Sequence, residues 1–323
     1  MVKVNFEPAR DILSLAGKVI LVTGSNAGIG KATVRALARH DPARIYLCGR
    51  RHEAAEQTAK ELCAETHFDS IVVLDLMLDS LESVKNAAAV VLANETRLDL
   101  LFLNAGVANT PHGLTKEGYE LHFGINHVGH AMLTQMLMPL LLRTQAQPGT
   151  DVRIVITSSS AVFVPMLPNG GLALQAMRKP DAFGAMTLYA HSKLANALFA
   201  AKLAALYPSL SVSAVHPGVV KSDIWGKGTG GLLSLIRRSL VMAVMVDIDE
   251  GAKTQLWCAT APRAQPTKGG ENPTGVVSGA FYYPVGKLMP YKGYSAKKEL
   301  VDELWKWTAD ELVKHGGPGW VEA

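Results

Sequence analysis

Cysteine is scarce in this sequence. Cys48, Cys63 and Cys258 are the only three in 323 residues, and they are widely spaced. Such spacing forms neither a disulfide framework nor the paired cysteines of a metal site. We therefore expect the protein in a reducing compartment, the cytoplasm. We also expect no metal, because the histidines are scattered through separate segments without neighbouring carboxylate or cysteine ligands; they include His127, His130, His191 and His216.

Long apolar runs are also missing. The most apolar segment, residues 232–248, is interrupted by Arg237 and Arg238 and falls short of the ~20 residues needed to span a bilayer. The first 15 residues carry Glu7, Arg10 and Asp11 and lack the apolar core of a signal peptide. We expect neither a transmembrane helix nor a secretory signal. An apolar face beside two arginines could still rest on a membrane surface, so peripheral membrane contact stays open.

A strong excess of one charge is absent as well. The chain has 32 basic and 28 acidic residues, a formal charge of +4, without the basic blocks that mark nucleic-acid tails. This excludes nucleic acid as an expected partner, whereas a slight basic excess suits an anionic small ligand. With 48% apolar residues, the chain can form one large core, so a single domain over residues 1–323 is expected.

Short apolar runs alternate with alanine-rich helical stretches along the chain. Six runs are predicted as buried strands, at residues 18–23, 45–48, 71–74, 100–103, 153–157 and 211–215. Helices between successive strands imply right-handed crossovers and a parallel sheet covered on both faces. We predict an α/β fold with a single doubly wound, Rossmann-like parallel sheet. A polar loop is predicted at 262–274 and a closing amphipathic helix at 296–313.

A glycine-rich turn follows the first predicted strand. Its sequence, TGSNAGIG, places glycines at positions 24, 28 and 30, immediately before a helical stretch. Glycines let the backbone approach a pyrophosphate, whose charge is stabilised by the free N–H groups of a helix N-terminus. The turn therefore predicts a dinucleotide site, although the spacing differs from the G-x-G-x-x-G fingerprint. An ordinary glycine-rich turn is the alternative.

The end of the second predicted strand bears on the choice of cofactor. NAD enzymes present a carboxylate there to the ribose 2′-hydroxyl, but this chain has Gly49, Arg50 and Arg51. The Arg50 guanidinium can bind a 2′-phosphate through two parallel hydrogen bonds. We therefore predict NADP(H). A solvated arginine pair at the start of a helix is the alternative.

Two later segments carry groups suited to acid/base chemistry. Tyr189 and Lys193 are four residues apart, hence neighbours on one helical face, and the lysine charge can stabilise a tyrosinate. This spacing alone also occurs by chance in many helices. Three serines, Ser158, Ser159 and Ser160, follow the fifth predicted strand at the sheet edge where α/β proteins bind ligands. A hydroxyl there can hold a substrate oxygen.

Taken in chain order, these motifs resemble the short-chain dehydrogenase/reductase family from Thr23 to Ser222 and, more weakly, to Trp305. The resemblance implies a cofactor and catalytic core at residues 18–222. Asp75 matches an aspartate that borders the adenine, and Ser222 stands where a threonine commonly contacts the nicotinamide amide. The cofactor-binding residues that the resemblance implies are Gly24, Ser25, Asn26, Gly28, Ile29, Gly30, Arg50, Asp75, Leu76, Asn104, Ala105, Gly106, Tyr189, Lys193, Pro217, Gly218, Val220 and Ser222.

The same resemblance implies a catalytic set of Ser159, Tyr189, Lys193 and Asn126. The family uses the second serine of its Ile-Val-x-x-Ser-Ser pattern, which makes Ser159 the first choice to polarise the substrate oxygen. Tyr189 would donate or accept the proton, while Asn126 would anchor a water that links the lysine to solvent. Ser158 or Ser160 remains the alternative if the register is shifted by one.

Within the family, the chain is most similar to the retinol dehydrogenase-like and fungal secondary-metabolism branches, through its length and its GAFYYP stretch at 279–284. This implies NADP(H)-dependent reduction of a ketone or aldehyde, or oxidation of the corresponding alcohol. We expect a bulky lipophilic substrate, such as a secondary metabolite, covered by segments 160–188 and 224–246. These segments could instead pack against the core or a partner subunit, and a homo-oligomer is compatible with the sequence. The alternatives are an NADP(H)-binding sensor or scaffold, and a membrane-surface retinoid- or steroid-type dehydrogenase.

Overall fold

A single sheet forms the centre of the molecule. The computed structural model describes residues 4–163, 167, 171–220, 245–264 and 275–322. Its strands are β1 (Val19–Val22), β2 (Arg44–Gly49), β3 (Ile71–Asp75), β4 (Leu100–Leu103), β5 (Arg153–Thr157), β6 (Ser211–Val215), β7 (Phe281–Tyr282) and β8 (Leu288–Met289). They are ordered β3-β2-β1-β4-β5-β6-β7-β8, and β1 to β7 pair in parallel while β8 pairs antiparallel to β7. Strand order reverses between β1 and β4, where such sheets open a ligand crevice.

Helices lie between the strands. They are α1 (Pro8–Asp11), α2 (Gly28–Ala38), α3 (His52–Thr66), α4 (Leu81–Asn94), α5 (Leu121–Phe123), α6 (Gly129–Gln145), α7 (Ala185–Leu206), α8 (Ile248–Thr260) and α9 (Lys298–Lys314). A π-helix, Gly124–Val128, joins α5 to α6, and 3₁₀ turns occupy Ser160–Phe163, Leu174–Arg178 and Gly293–Ala296. Among these described segments, no helix is long and apolar enough to cross a bilayer.

Alternating side chains along each strand build two separate cores. Val19 and Leu21 of β1 pack with α4, α6, α7 and α9, whereas Ile20 and Val22 pack with α2, α3 and α8. Successive side chains in a strand point to opposite faces of the sheet, so these two sets of helices lie on opposite faces. The predicted doubly wound α/β fold is therefore confirmed.

All six predicted strands form, and the closing helix begins two residues later than expected and ends one residue later. The last two strands, β7 and β8, were not predicted. Each has only two residues, too few to show a hydrophobic period. They form because β6 supplies hydrogen-bonding partners to β7.

The two predicted substrate-covering segments differ in what the structure describes. In segment 160–188, the apolar side chains of Leu167, Leu172, Leu174 and Met177 are buried in the core, which accounts for their apolar character. Segment 224–246 lies outside the described residues except for its last two, of which Val246 donates its N–H to the Val219 carbonyl at 2.9 Å. A covering role for either segment stays a prediction.

Candidate functional site

A cavity of about 840 Å³ opens at the carboxyl edge of β1 to β4. This volume falls within the ~300–1,000 Å³ of typical cofactor and ligand sites. The segments that follow the four strands form most of its wall, and Ile125 of the π-helix and Ile248 of α8 complete it. The residues from these segments are Gly24, Asn26, Ala27, Gly28, Ile29, Gly30, Gly49, Arg50, Arg51, Leu76, Leu78, Asp79, Asn104, Ala105, Gly106, Val107, Ala108, Asn109, Thr110 and Pro111. Ten of the predicted cofactor-binding residues are in this wall.

The glycine turn fits the pyrophosphate of a dinucleotide. Gly24 has φ +64°, and a Cβ there would lie 2.8 Å from the Ala105 Cα. A Cβ at Gly30 would run into the Gly24 carbonyl and lie 2.7 Å from the Asn104 Nδ2. At Gly28 a Cβ would meet nothing within 4 Å, so this face of the turn opens toward the cavity. Helix α2 begins here after Ala27, which supplies no side-chain cap, and its first N–H groups are available to an anion.

Two arginines line the cavity, and a histidine follows them in the chain. Arg50 and Arg51 are exposed residues of its wall, directly after β2. His52 begins α3, and its Nδ1 lies 2.9 Å from the Asp75 Oδ1. This contact raises the pKa of His52 above its usual value. The segment after β2 thus carries three basic side chains, and His52 is in contact with the carboxylate of Asp75.

Several predicted cofactor residues have other surroundings. The Ser25 side chain is fully buried and donates to the Val22 carbonyl at 2.7 Å, so it ties the turn to the sheet. Asp75 is in contact with His52, whereas its neighbour Leu76 is in the cavity wall. The contact of Asp75 with an adenine stays a prediction, and Ser222 lies outside the described residues.

The turn after β6 carries the predicted Pro217, Gly218 and Val220. Gly218 has φ +91°, and a Cβ there would lie 3.1 Å from the Val246 Cγ2. The preceding residue, His216, is buried with its ring centroid 4.5 Å from that of Tyr283. Burial and the charge of Lys193 lower the pKa of His216 to about 4. The ring is therefore neutral at physiological pH.

Tyr189 and Ser159 meet although they come from different elements. Tyr189 lies in the first turns of α7, Ser159 follows β5, and both side chains are less than a tenth exposed. Burial raises the pKa of Tyr189, while its hydrogen bond with Ser159 acts in the opposite direction. In this environment the phenol keeps its proton at neutral pH.

Lys193 lies one helical turn beyond Tyr189, and its side chain is 2% exposed. Its Nζ donates to the Thr157 carbonyl at 2.9 Å and lies 5.7 Å from the centroid of the Tyr189 ring. Burial lowers the pKa of Lys193 to about 7. The Thr157 carbonyl also accepts from the Asn196 Nδ2 at 3.1 Å, so β5 holds the lysine at a fixed point.

The three consecutive serines have three different environments. Ser158 donates to the Lys193 carbonyl at 2.7 Å and fixes α7 against β5. Ser159 interacts with Tyr189 and accepts from the Ala161 N–H at 3.2 Å. Ser160 is exposed. Ser159 is thus the serine beside Tyr189, and its catalytic role stays a prediction.

Asn126 lies in the π-helix Gly124–Val128, a rare conformation that is often found at functional sites. Its Nδ2 donates to the Val107 carbonyl at 3.0 Å and to the Ser192 Oγ at 2.9 Å, and its Oδ1 accepts from the Val107 N–H at 2.8 Å. A Cβ at Gly106 would lie 3.1 Å from the Asn126 Oδ1 and 3.3 Å from the Lys193 Nζ. The wall of the cavity thus touches two predicted catalytic residues.

Other residues of the site escaped the sequence analysis. The stretch from Val107 to Pro111 continues the cavity wall beyond Asn104–Gly106, a position that the order of the motifs could have indicated. Ile248, at the start of α8, reaches the same wall from more than 130 residues away. No local pattern predicts such a contact. Within the described part of the chain, no group of three or more His, Cys, Asp or Glu side chains is placed to hold a metal ion.

Comparison with known proteins adds relatives to this geometry. Residues 18–170 match the family model described as short chain dehydrogenase. A short-chain dehydrogenase/reductase of Armillaria gallica is 36% identical over 300 residues, covering 92% of this chain and 91% of the relative. Mouse retinol dehydrogenase 12 is 33% identical over 302 residues, covering 93% and 88%.

Among solved structures, an uncharacterized protein from Mycobacterium paratuberculosis superimposes with a TM-score of 0.69 at 26% identity, covering 96% of this chain and 98% of that one. The match thus extends over nearly the whole length of both proteins. Together with the sequence relatives, it shows that this chain belongs to the short-chain dehydrogenase/reductase family of oxidoreductases.

Proposed function

We propose that this oxidoreductase uses NADP(H) to reduce the carbonyl group of a lipophilic aldehyde or ketone, or to oxidise the corresponding alcohol. The proposal depends on one observation above all. Gly106, in the cofactor-sized cavity, lies against the Lys193 Nζ and the Asn126 Oδ1, while Tyr189 and Ser159 are hydrogen-bonded to each other. Through Gly106 the cavity wall thus reaches Lys193 and Asn126, and the Lys193 Nζ lies 5.7 Å from the ring centroid of Tyr189.

The roles of the side chains follow from their geometry. Bound NADPH supplies the hydride. The Ser159 hydroxyl holds the substrate oxygen, and Tyr189 donates its phenolic proton to that oxygen. Because burial raises the pKa of Tyr189, the phenol carries at neutral pH the proton that reduction requires. The Lys193 ammonium, 5.7 Å from the ring centroid, stabilises the resulting tyrosinate.

Arg50 supports the choice of NADP(H). A neutral Gly49 occupies the end of β2, where a carboxylate would repel a 2′-phosphate, and Arg50 follows in the cavity wall. Replacing Arg50 with alanine should raise the KM for NADPH at least tenfold and change the KM for NADH about twofold or less. The substitution removes the guanidinium that binds the 2′-phosphate, and NADH has no such phosphate.

Steady-state kinetics with both cofactors measures this difference. Arg51→Ala is the matched control, since it removes the same charge from the adjacent wall position. A larger effect on NADPH from Arg51→Ala would assign the phosphate to Arg51. Equal effects of Arg50→Ala on both cofactors would show that Arg50 does not bind the 2′-phosphate.

Apolar side chains support a lipophilic substrate. Beyond Gly106 the cavity wall continues with Val107, Ala108 and Pro111 and is completed by Ile125 and Ile248. Relatives at 33–36% identity carry the name retinol dehydrogenase 12, and retinol is a long apolar alcohol. Binding to such a wall becomes more favourable in proportion to the apolar surface that the ligand buries.

A series of carbonyl compounds tests the proposed activity. NADPH consumption should be measured with acetaldehyde, hexanal, decanal and all-trans-retinaldehyde. We expect kcat/KM to rise along the series by about tenfold or more between the first and last compounds. Preference for acetaldehyde would overturn the lipophilic substrate. Tight NADPH binding without turnover of any carbonyl would instead support the sensor or scaffold hypothesis.

The cytoplasm remains the proposed location. All three cysteines, Cys48, Cys63 and Cys258, are free thiols in the structure, and burial raises the pKa of each. Free, unreactive thiols suit a reducing compartment. Contact with a membrane surface stays a prediction, since the segment that suggested it lies mostly outside the described residues. Assembly into a homo-oligomer also stays a prediction.

A further inference from the structure

A buried histidine connects two parts of the site that the chain keeps far apart. His130 lies in the first turn of α6 with its side chain 2% exposed. Its Nδ1 lies 3.0 Å from the backbone carbonyl oxygen of Asn126, and its Nε2 lies 2.9 Å from the Thr23 Oγ1. The ring therefore spans from the predicted catalytic asparagine to the threonine that begins the glycine turn.

The partners of His130 define which ring nitrogen carries the proton. The Asn126 carbonyl only accepts hydrogen bonds, so Nδ1 must be the donor. Burial and the charge of Lys193 lower the pKa of His130 to about 4, so the ring is neutral at physiological pH. Nε2 then has a free lone pair, and the Thr23 hydroxyl donates to it.

This arrangement orients the Thr23 hydroxyl toward the cofactor loop. With its proton directed at His130, the Thr23 Oγ1 accepts from the Asn104 N–H at 2.9 Å and the Ala105 N–H at 3.0 Å. The Phe102 carbonyl, 3.2 Å from the hydroxyl, is the competing acceptor, but it already accepts from the Thr23 N–H at 3.0 Å. His130 is thus the better acceptor for this proton.

We propose that His130 is a positioning residue that couples the cofactor-binding loop at Asn104–Gly106 to Asn126. Its Nε2 fixes Thr23, which holds the loop through two backbone N–H groups. Its Nδ1 fixes the Asn126 carbonyl inside the π-helix. The same loop touches Asn126 and Lys193 through Gly106, so one ring sets the geometry on both sides of the site. This inference rests on the proposed function of Asn126 and of the loop.

Three substitutions separate the two halves of this role. In His130→Gln the amide can place an acceptor near the position of Nε2 but not a donor near Nδ1, whereas in His130→Asn the shorter amide does the reverse. His130→Phe keeps the ring and loses both hydrogen bonds. His127→Phe is the matched control. His127 lies in the neighbouring π-helix and is buried like His130, but its Nε2 is hydrogen-bonded to Thr308 of α9 at 3.0 Å.

Hydrogen exchange of the Asn104 and Ala105 amides and the Kd for NADPH report on the loop without requiring turnover. We expect about fivefold faster exchange and about tenfold weaker NADPH binding in His130→Asn and His130→Phe, and values near wild type in His130→Gln and His127→Phe. The kcat with all-trans-retinaldehyde should fall about tenfold in His130→Gln and His130→Phe and much less in His130→Asn.

Each outcome decides the proposal. Equal effects of the Gln and Asn variants on exchange and binding, wild-type behaviour of His130→Phe, or the same losses in His127→Phe would overturn it. Should the wild-type protein fail to reduce retinaldehyde, the proposed substrate class is wrong, while exchange and NADPH binding still decide the role of His130 on the loop.

Discussion

Replacing Tyr189 with phenylalanine is expected to leave NADPH binding nearly unchanged and to reduce kcat by about 100- to 10,000-fold. General acid/base catalysis contributes this much, roughly 3 to 5 kcal/mol of barrier. The phenylalanine ring keeps the packing of a side chain that is only 6% exposed, so the loss is confined to the transferable proton and the bond with Ser159. Single-turnover kinetics and NADPH titration measure the two quantities separately.

Tyr207→Phe provides a control for removing a buried phenol. Tyr207 caps the C-terminus of the same helix, is 1% exposed and donates to the Val321 carbonyl at 2.7 Å, far from the cavity. Its loss should cost about 1 kcal/mol of unfolding free energy and leave kcat unchanged. If Tyr189→Phe keeps half of the wild-type rate, the proton comes from another group and the proposed mechanism is wrong.

Ser159→Ala is expected to produce the next largest loss, about 100- to 1,000-fold in kcat, the usual effect of removing one donor to a developing oxyanion. Ser159 is buried beside Tyr189, so no water easily replaces its hydroxyl. Ser160→Ala should change kcat less than threefold, because that side chain is exposed. The measurement is kcat for both variants with the carbonyl that the wild-type protein reduces fastest.

Ser158→Ala distinguishes a direct role from a structural one. Ser158 donates to the Lys193 carbonyl, so its loss should lower the melting temperature while kcat falls less than in Ser159→Ala. A severe effect of Ser160→Ala with a mild one of Ser159→Ala would move the register by one residue. A severe effect of Ser158→Ala at unchanged stability would assign the substrate oxygen to Ser158.

Features that depend on local geometry were predictable from the amino-acid sequence. The strand, glycine turn and helix around Gly24 to Gly30 were predictable because hydrophobic period and glycine conformation are properties of neighbouring residues. The four-residue separation of Tyr189 and Lys193 likewise places them on one face of any helix. The parallel sheet covered on both faces was predictable from the alternation of strands with helices, because crossovers have a fixed hand.

Features that depend on distant residues and on the exclusion of water became visible in the folded protein. Lys193 is one turn from Tyr189 in any helix, but its pKa near 7 comes from burial against β5, which a sequence does not reveal. His130 bonds to Thr23, 107 positions earlier in the chain, and Ile248 reaches the cavity from α8. Such contacts come from packing and desolvation over the whole core, where no period of two or 3.6 residues gives a signal.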